Sequence, residues 1–307
     1  MRIVFMGTPE FAVPSFKKIM QYHSVIGVVT QPDRAKGRGL KVTFSPVKGM
    51  ALDFGIPILQ PEKLSDGIFL NQLRTLEADL FVVVGFRILP SVVFEIPPLG
   101  TVNLHASLLP KYRGASPIQW AIINGETETG VSLFFIEKTV DTGDLIKQQR
   151  IEIREYETAD ELHDRLAEIG ADLMVECIRD IESGTVKRIR QTGQPSMAPK
   201  ILPEQCRIQW NKPAKDIVNF IHGVSPVPGA YTLWKKKRLK IYKAFIIKIH
   251  DEQICPGKVS QLPDGRLCIR TRDDCIGIER MQIECKKCLD SEEFLRGHPD
   301  FVGSILS

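Results

Sequence analysis

Thr101-Val-Asn-Leu-His105 alternates like a strand, and Ala106-Ser-Leu-Leu-Pro-Lys-Tyr-Arg-Gly114 is the segment it runs into. Residues i and i+2 of a strand share a face, so the Asn103 amide and the His105 imidazole project together at its carboxyl end. That is where open α/β sheets place their ligands. Moving outward toward the N-terminus, Arg2–Met6, Val25–Thr30, Ile56–Leu59 and Leu80–Val84 are short apolar runs bounded by Gly, Pro or polar residues. Between the first two, residues 11–22 have helical spacing, with Pro14 in the first turn. Ser45-Pro46 reads as an N-cap followed by an N1 proline. Thr158 with Glu161 reads as the capping box of a long amphipathic helix reaching Ser183. Strands alternating with helices imply βαβ units, so the expected fold class is α/β, with a Rossmann-like, mainly parallel sheet.

The texture changes after residue 205. Residues 239–249 and 266–271 alternate, and Pro256-Gly257 and Asp264-Gly265 mark turns. One helix is expected over 214–222. A smaller C-terminal, OB-like β-barrel domain is the reading. Residues 187–205 have three prolines and no clear period. The expected organisation is residues 1–187 as one domain, 188–205 as a linker and 206–307 as the second.

A chain of 307 residues has room for two cores. With 43% apolar and 25% charged residues it is an ordinary globular composition rather than a disordered one. The longest uncharged run near residues 217–234 contains Gly and Pro, which excludes a transmembrane helix there. No signal-peptide core is visible, so a cytoplasmic location is expected. The seven cysteines are scattered and include a single C-x-x-C, Cys285 to Cys288, so reduced thiols and no metal are expected. Residues 206–307 carry a net +6 and residues 1–205 a net −2. The basic excess thus sits in the C-terminal third, a mild nucleic-acid signal.

Gly7-Thr-Pro-Glu10 occupies the position of a dinucleotide loop but is not G-x-G-x-x-G, which argues against a nicotinamide cofactor. It is either a plain strand-to-helix turn or a phosphate contact. Asp141, in Val140-Asp-Thr-Gly-Asp144, offers a carboxylate to the imidazole, although Asp and Gly in such a run also form turns. Amide, imidazole and carboxylate suit acyl transfer to nitrogen. Gln31-Pro-Asp-Arg-Ala-Lys-Gly-Arg-Gly-Leu-Lys41 is a basic, glycine-rich loop, and Lys235-Lys-Lys-Arg238 a basic run. Both read equally as solvated surface or as contacts to a phosphate backbone.

Asn-x-His before Ser-Leu-Leu-Pro, followed by Asp-Thr-Gly-Asp, resembles the 10-formyltetrahydrofolate-dependent formyltransferases, and the resemblance extends over nearly the whole chain. It implies a catalytic trio of Asn103, His105 and Asp141, with Asp141 orienting His105. It implies 10-formyltetrahydrofolate as co-substrate, held by Ser107, Leu108, Leu109 and Pro110, with Phe86, Ile88 and Leu89 as the neighbouring wall. The segment Gly85–Pro90 is one residue shorter than the family's usual run and carries Arg87. The Gln31–Gly39 loop resembles that of the branch that formylates initiator methionyl-tRNA for translation initiation. That branch implies tRNA contacts from Arg38, Arg34, Lys36 and Lys41, with Lys235, Lys236 and Lys237 tracking phosphates, and a monomeric enzyme. Enzymes that formylate nucleotide-linked amino sugars share the trio and lack this loop. A tRNA-binding module without chemistry would have no need of the trio.

Overall fold

The computed structural model describes residues 1–36, 41–249 and 255–307. The described chain falls into two compact units. One comprises Met1–Gly114, Thr129–Ile151 and His163–Met197, the other Ala115–Glu128, Glu152–Leu162 and Ala198–Ser307. The boundary falls inside the segment expected as a linker. Two segments, 115–128 and 152–162, belong with the C-terminal residues.

The first unit is built on a seven-stranded sheet. Its strands are β1 (Arg2–Gly7), β2 (Ser24–Val29), β5 (Ile58–Leu59), β6 (Leu80–Val84), β7 (Thr101–His105), β8 (Glu128–Phe135) and β9 (Leu145–Glu152), in the order β5-β2-β1-β6-β7-β8-β9. The first five of that order are parallel. β8 runs antiparallel to β7, with His105 opposite Ser132. β3 (Arg34–Lys36) and β4 (Lys41–Thr43) form a separate antiparallel ribbon. The sheet grows from β1 to either side, so the carboxyl ends of β1 and β6 flank the switch point, with β7 next to β6.

Both faces of the central strands are covered. From β1, Val4 and Met6 join Phe81 and Val83 under Phe69 and Leu73 of α3 (Gly67–Thr75). On the other face, Phe5 stacks on Phe16 of α1 (Val13–Met20) at 4.9 Å between ring centroids. Two covered faces explain why β6, Leu-Phe-Val-Val-Val, has no polar alternation. The caps read from sequence are formed. Ser45 Oγ accepts from Lys48 N (3.1 Å) at α2 (Pro46–Asp53). At α6 (Ala159–Glu182), Thr158 Oγ1 accepts from Glu161 N (3.3 Å) and Glu161 Oε2 accepts from Thr158 N (2.8 Å).

The second unit has an antiparallel sheet of β10 (Ala230–Trp234), β11 (Lys237–Ile247), β14 (Cys275–Ile283), β13 (Leu267–Arg270) and β12 (Val259–Gln261), with β15 (Leu289–Asp290) on β14. The tail bridges the two edge strands. Leu233 N donates to Ser307 O (2.8 Å), and Val259 N donates to Ser304 O (2.9 Å). With both edges met by the tail, the antiparallel sheet curls into a half-barrel of the expected OB-like kind. Its interior holds Leu239, Ile241, Ile276 and Met281, with Ile217 and Ile221 from α7 (Ala214–Gly223). A short helix, α5 (Pro117–Ile123), packs so closely on α7 that a Cβ at Gly223 would lie 2.6 Å from Ile123 Cγ1. α4 (Ser91–Phe94) and α8 (Ser291–Gly297) complete the helices introduced here.

Candidate active site

β7 delivers Asn103 and His105 to one face at the carboxyl edge. His105 is 7% exposed, and its Nε2 lies 2.8 Å from the Tyr112 carbonyl oxygen. A carbonyl only accepts, so Nε2 carries the hydrogen. That leaves Nδ1 facing Asp141, with Oδ2 at 3.8 Å. The separation is too long for a direct hydrogen bond. The ring is therefore oriented by the main chain of Tyr112, where the resemblance assigns that task to Asp141. The Asn103 carboxamide makes no hydrogen bond to another described residue.

Asp141 sits in a turn between β8 and β9 with φ of 56°, in the left-handed region. Its Oδ2 accepts from Gly114 N at 2.8 Å. Two residues on, Gly143 lies against β8, where a Cβ would overlap the Phe135 carbonyl oxygen. Phe135 N donates to Asp144 O at 3.0 Å. Asp144 thus contributes its backbone to the β8 end, consistent with a turn-forming role.

The Ser107–Pro110 segment is held from beneath by β8 and β9. Ser132 Oγ donates to Ser107 O (2.6 Å) and accepts from Leu109 N (3.0 Å). Gln148 Nε2 donates to Leu109 O (3.0 Å) and to Ser132 Oγ (2.8 Å). Ser107 Oγ donates to Lys111 O (2.6 Å). Leu109 is 3% exposed in a cluster with Phe134 and Leu145. Its backbone and side chain are both committed to the protein, and Ser107 is fully buried. Leu108 and Pro110 are the half-exposed members. The neighbouring wall is likewise divided. Leu89 is buried in the core with Phe81 and Val93, while Phe86 is half-buried and Ile88 is 74% exposed. Arg87 turns back to donate to Pro61 O (2.8 Å) and Glu62 O (3.0 Å).

Sequence reasoning missed the contribution of residues 189–197. Ile189 and Leu145 exchange backbone hydrogen bonds of 2.8 and 2.9 Å. Gln191 Nε2 donates to Asp141 O (3.0 Å) and Gly143 O (2.9 Å), and its Oε1 accepts from Arg113 Nη2 (2.6 Å). Ser196 Oγ accepts from Tyr112 N at 2.9 Å, and Ser196 O accepts from Arg113 N at 2.9 Å. This strap carries no local signal, because its partners are mostly backbone groups distant in sequence.

Gly7 belongs to tight packing. A Cβ there would lie 2.9 Å from Phe5 Cε1 and 3.0 Å from the Val84 carbonyl. The expected basic loop is anchored at its base, where Lys48 pairs with Asp33 and Gln60 Nε2 donates to Asp33 Oδ1 (3.0 Å). Arg34 is exposed; Lys36 and Lys41 face each other in backbone register; Arg38 lies outside the described residues. Lys235, Lys236 and Lys237 are exposed at the β10–β11 hairpin. Lys235 is paired with Asp300. Among the described residues no group of three or more His, Cys, Asp or Glu is placed to hold a metal, and no helix is long and apolar enough to cross a membrane.

Residues 1–178 match the formyl transferase family, and residues 200–299 match its C-terminal domain. A methionyl-tRNA formyltransferase of Bacteroides fragilis is 44% identical, over 97% of this chain and 95% of its own. One from Azobacteroides pseudotrichonymphae is 46% identical, over 97% of this chain and 96% of its own. Among solved structures, an N-formyltransferase of Helicobacter canadensis, in complex with folinic acid and dTDP-3-aminofucose, superposes with a TM-score of 0.68. It is 21% identical and covers 90% of this chain and 97% of its own. The match to the family over more than half of the chain, together with 44–46% identity over nearly the full length, decides the affiliation: the chain belongs to the formyl transferase family, among the methionyl-tRNA formyltransferases.

Proposed function

We propose that this protein transfers the formyl group of 10-formyltetrahydrofolate to the α-amino group of initiator methionyl-tRNA. The observation that carries the reading is the convergence of Asn103, His105 and Asp141 at the carboxyl edge of β7, in a chain of this family. The reacting carbonyl is polarised by hydrogen-bond donors rather than by a metal in this scheme. The amine gives up its ammonium proton toward Asp141 and attacks the formyl carbon. The Asn103 amide, which makes no hydrogen bond to another described residue, donates to the developing oxyanion. His105 contributes through Nδ1, because Nε2–H is engaged by Tyr112. The 3.8 Å between Nδ1 and Asp141 Oδ2 leaves Nδ1 without a direct hydrogen bond to the carboxylate, and catalytic hydrogen bonds that are long without substrate often tighten when it binds. Collapse of the intermediate expels N10 of the folate, which takes up the proton that the attacking nitrogen sheds as it becomes the amide.

The donor would lie against Leu108, Pro110 and Phe86, since Ser107, Leu109 and Leu89 are consumed by the scaffold. Acceptor recognition is assigned to Arg34, Arg38, Lys36 and Lys41 and to the β10–β11 hairpin, with the enzyme acting as a monomer in the compartment that holds the initiator tRNA.

The test is formyl transfer to Met-tRNA, with a nucleotide-linked amino sugar as the competing acceptor. Turnover on Met-tRNA, reduced by about two to three orders of magnitude in Asn103→Ala with tRNA affinity retained, is the expected result. Formylation of the amino sugar in preference to Met-tRNA would replace the acceptor assignment.

A further inference from the structure

We propose that Gln191 is a positioning residue for the transfer reaction, acting through Asp141; the inference rests on the formyl-transfer reading above. A primary amide has two N–H donors and one carbonyl acceptor. In Gln191 all are used on one side of the site. Nε2 donates to the carbonyls of Asp141 (3.0 Å) and Gly143 (2.9 Å), and Oε1 accepts from Arg113 Nη2 (2.6 Å). The orientation is fixed by chemistry, since carbonyls only accept and a guanidinium only donates.

The residue it grips is under conformational load. Asp141 is left-handed, with φ of 56°. Such a conformation is disfavoured for a residue with a Cβ and persists where surrounding contacts over-determine it. Gln191 ties the carbonyls on both sides of Thr142, while Gly114 N holds the carboxylate. The gap between Asp141 Oδ2 and His105 Nδ1 is therefore set by a side chain that touches neither of them through its own reactive atoms. The same strap supplies Ser196, which takes the Tyr112 N–H, and Tyr112 orients His105 through its carbonyl. Both neighbours of the imidazole are thus fixed from residues 191–196.

The test compares Gln191→Leu, which keeps bulk and loses the three hydrogen bonds, with Gln191→Glu, which keeps the Arg113 contact and turns an oxygen toward the two carbonyls. Both should lower kcat by roughly 10- to 100-fold while the KM values for donor and Met-tRNA stay within about threefold. In an Asp141→Asn background, Gln191→Leu should add less than about a twofold loss, because the effect passes through the carboxylate. Retained kcat, a loss confined to KM, or losses that multiply across the two sites would each overturn the proposal. A substrate-free reading accompanies these. The His105 ring signal in a histidine-labelled NMR spectrum, assigned by its absence in His105→Gln, should move in Gln191→Leu. If Gln191→Leu does not fold, Gln191→Glu carries both readouts. If the parent protein fails to formylate Met-tRNA, the functional reading falls. The NMR comparison then still decides the role of Gln191, and an unmoved His105 signal overturns it.

Discussion

Tyr112 and Asp141, with φ of 60° and 56°, are left-handed residues with a Cβ, and both face the imidazole of His105. Strained backbone next to a reactive group is maintained by neighbours that leave it no alternative. Gly143 is one such neighbour in the Asp-Thr-Gly-Asp turn. Its need for glycine is one of space, because a Cβ would overlap the Phe135 carbonyl oxygen. Gly143→Ala should therefore push the turn off the end of β8 and carry Asp141 with it. We expect a loss of roughly 1–3 kcal/mol in stability, typical of overpacking, and at least a tenfold fall in the single-turnover rate. Thermal unfolding and rapid-quench formyl transfer measure the two. An unchanged rate would show that the turn tolerates displacement and that Asp141 does not depend on it.

At the scale of elements, the helix caps and the period-2 runs were legible because their signals are local. Ser45, Thr158 and Glu161 act within three residues of themselves. β8, the antiparallel partner of β7, was not read as a strand, although its Ser132 holds the Ser107–Pro110 segment. Nor was the tail that meets both edges of the second sheet, since its pairing is with strands 45 to 75 residues away. The trio was readable as a motif, whereas Gln191 and Ser196 were not, because they serve backbone groups. Leu89 and Leu109 resemble pocket residues by position and are consumed by packing. A buried histidine gives this scale its own test. His222 on α7 is 2% exposed, and its Nε2 accepts from Ala244 N (3.2 Å) at the irregular register of β11. Burial lowers its pKa from 6.5 to about 4, with Lys243 adding to the effect and Glu161 opposing it. The unfolded chain thus binds a proton that the folded one refuses. The stability from His222 is complete above pH 6.5 and is lost as pH falls toward 4. By pH 5 the loss reaches about 2 kcal/mol. Thermal unfolding at pH 7 and pH 5 should show it, and His222→Gln, which keeps an acceptor for Ala244, should reduce the drop. An equal drop in the variant would assign the acid sensitivity to other groups.

Over the whole molecule the charge is divided, with net +6 on residues 206–307 and net −2 on residues 1–205. A uniform basic excess would attract any polyanion, so the informative question is which cations are free to meet one. Lys235 is already paired with Asp300 and lies over the Trp234 ring, with Nζ 4.7 Å from its centroid. Lys236 and Lys237 are exposed beside it. The turn itself joins β10 to β11 through two left-handed residues, Lys235 (φ 48°) and Lys236 (φ 62°). Two-residue hairpins favour Asn and Gly at these positions, so lysines there forgo about 1 kcal/mol or more each. That cost is reasonable if the apex meets a phosphate backbone, as the proposed tRNA acceptor would provide. Each phosphate contact to a single strand contributes about 0.7 to the slope of log affinity against log salt, and to a duplex about 0.9. The double substitution Lys236→Ser with Lys237→Ser should therefore lower the magnitude of that slope by roughly 1.4 to 1.8 for Met-tRNA. Lys235→Ser should change it less, because breaking the pair with Asp300 frees a carboxylate as it removes a cation. Turnover at saturating tRNA should stay near the parent value, since none of these residues touches the trio. A slope unchanged in the double variant would take the hairpin out of the tRNA path and leave its strained lysines as a feature of the barrel alone.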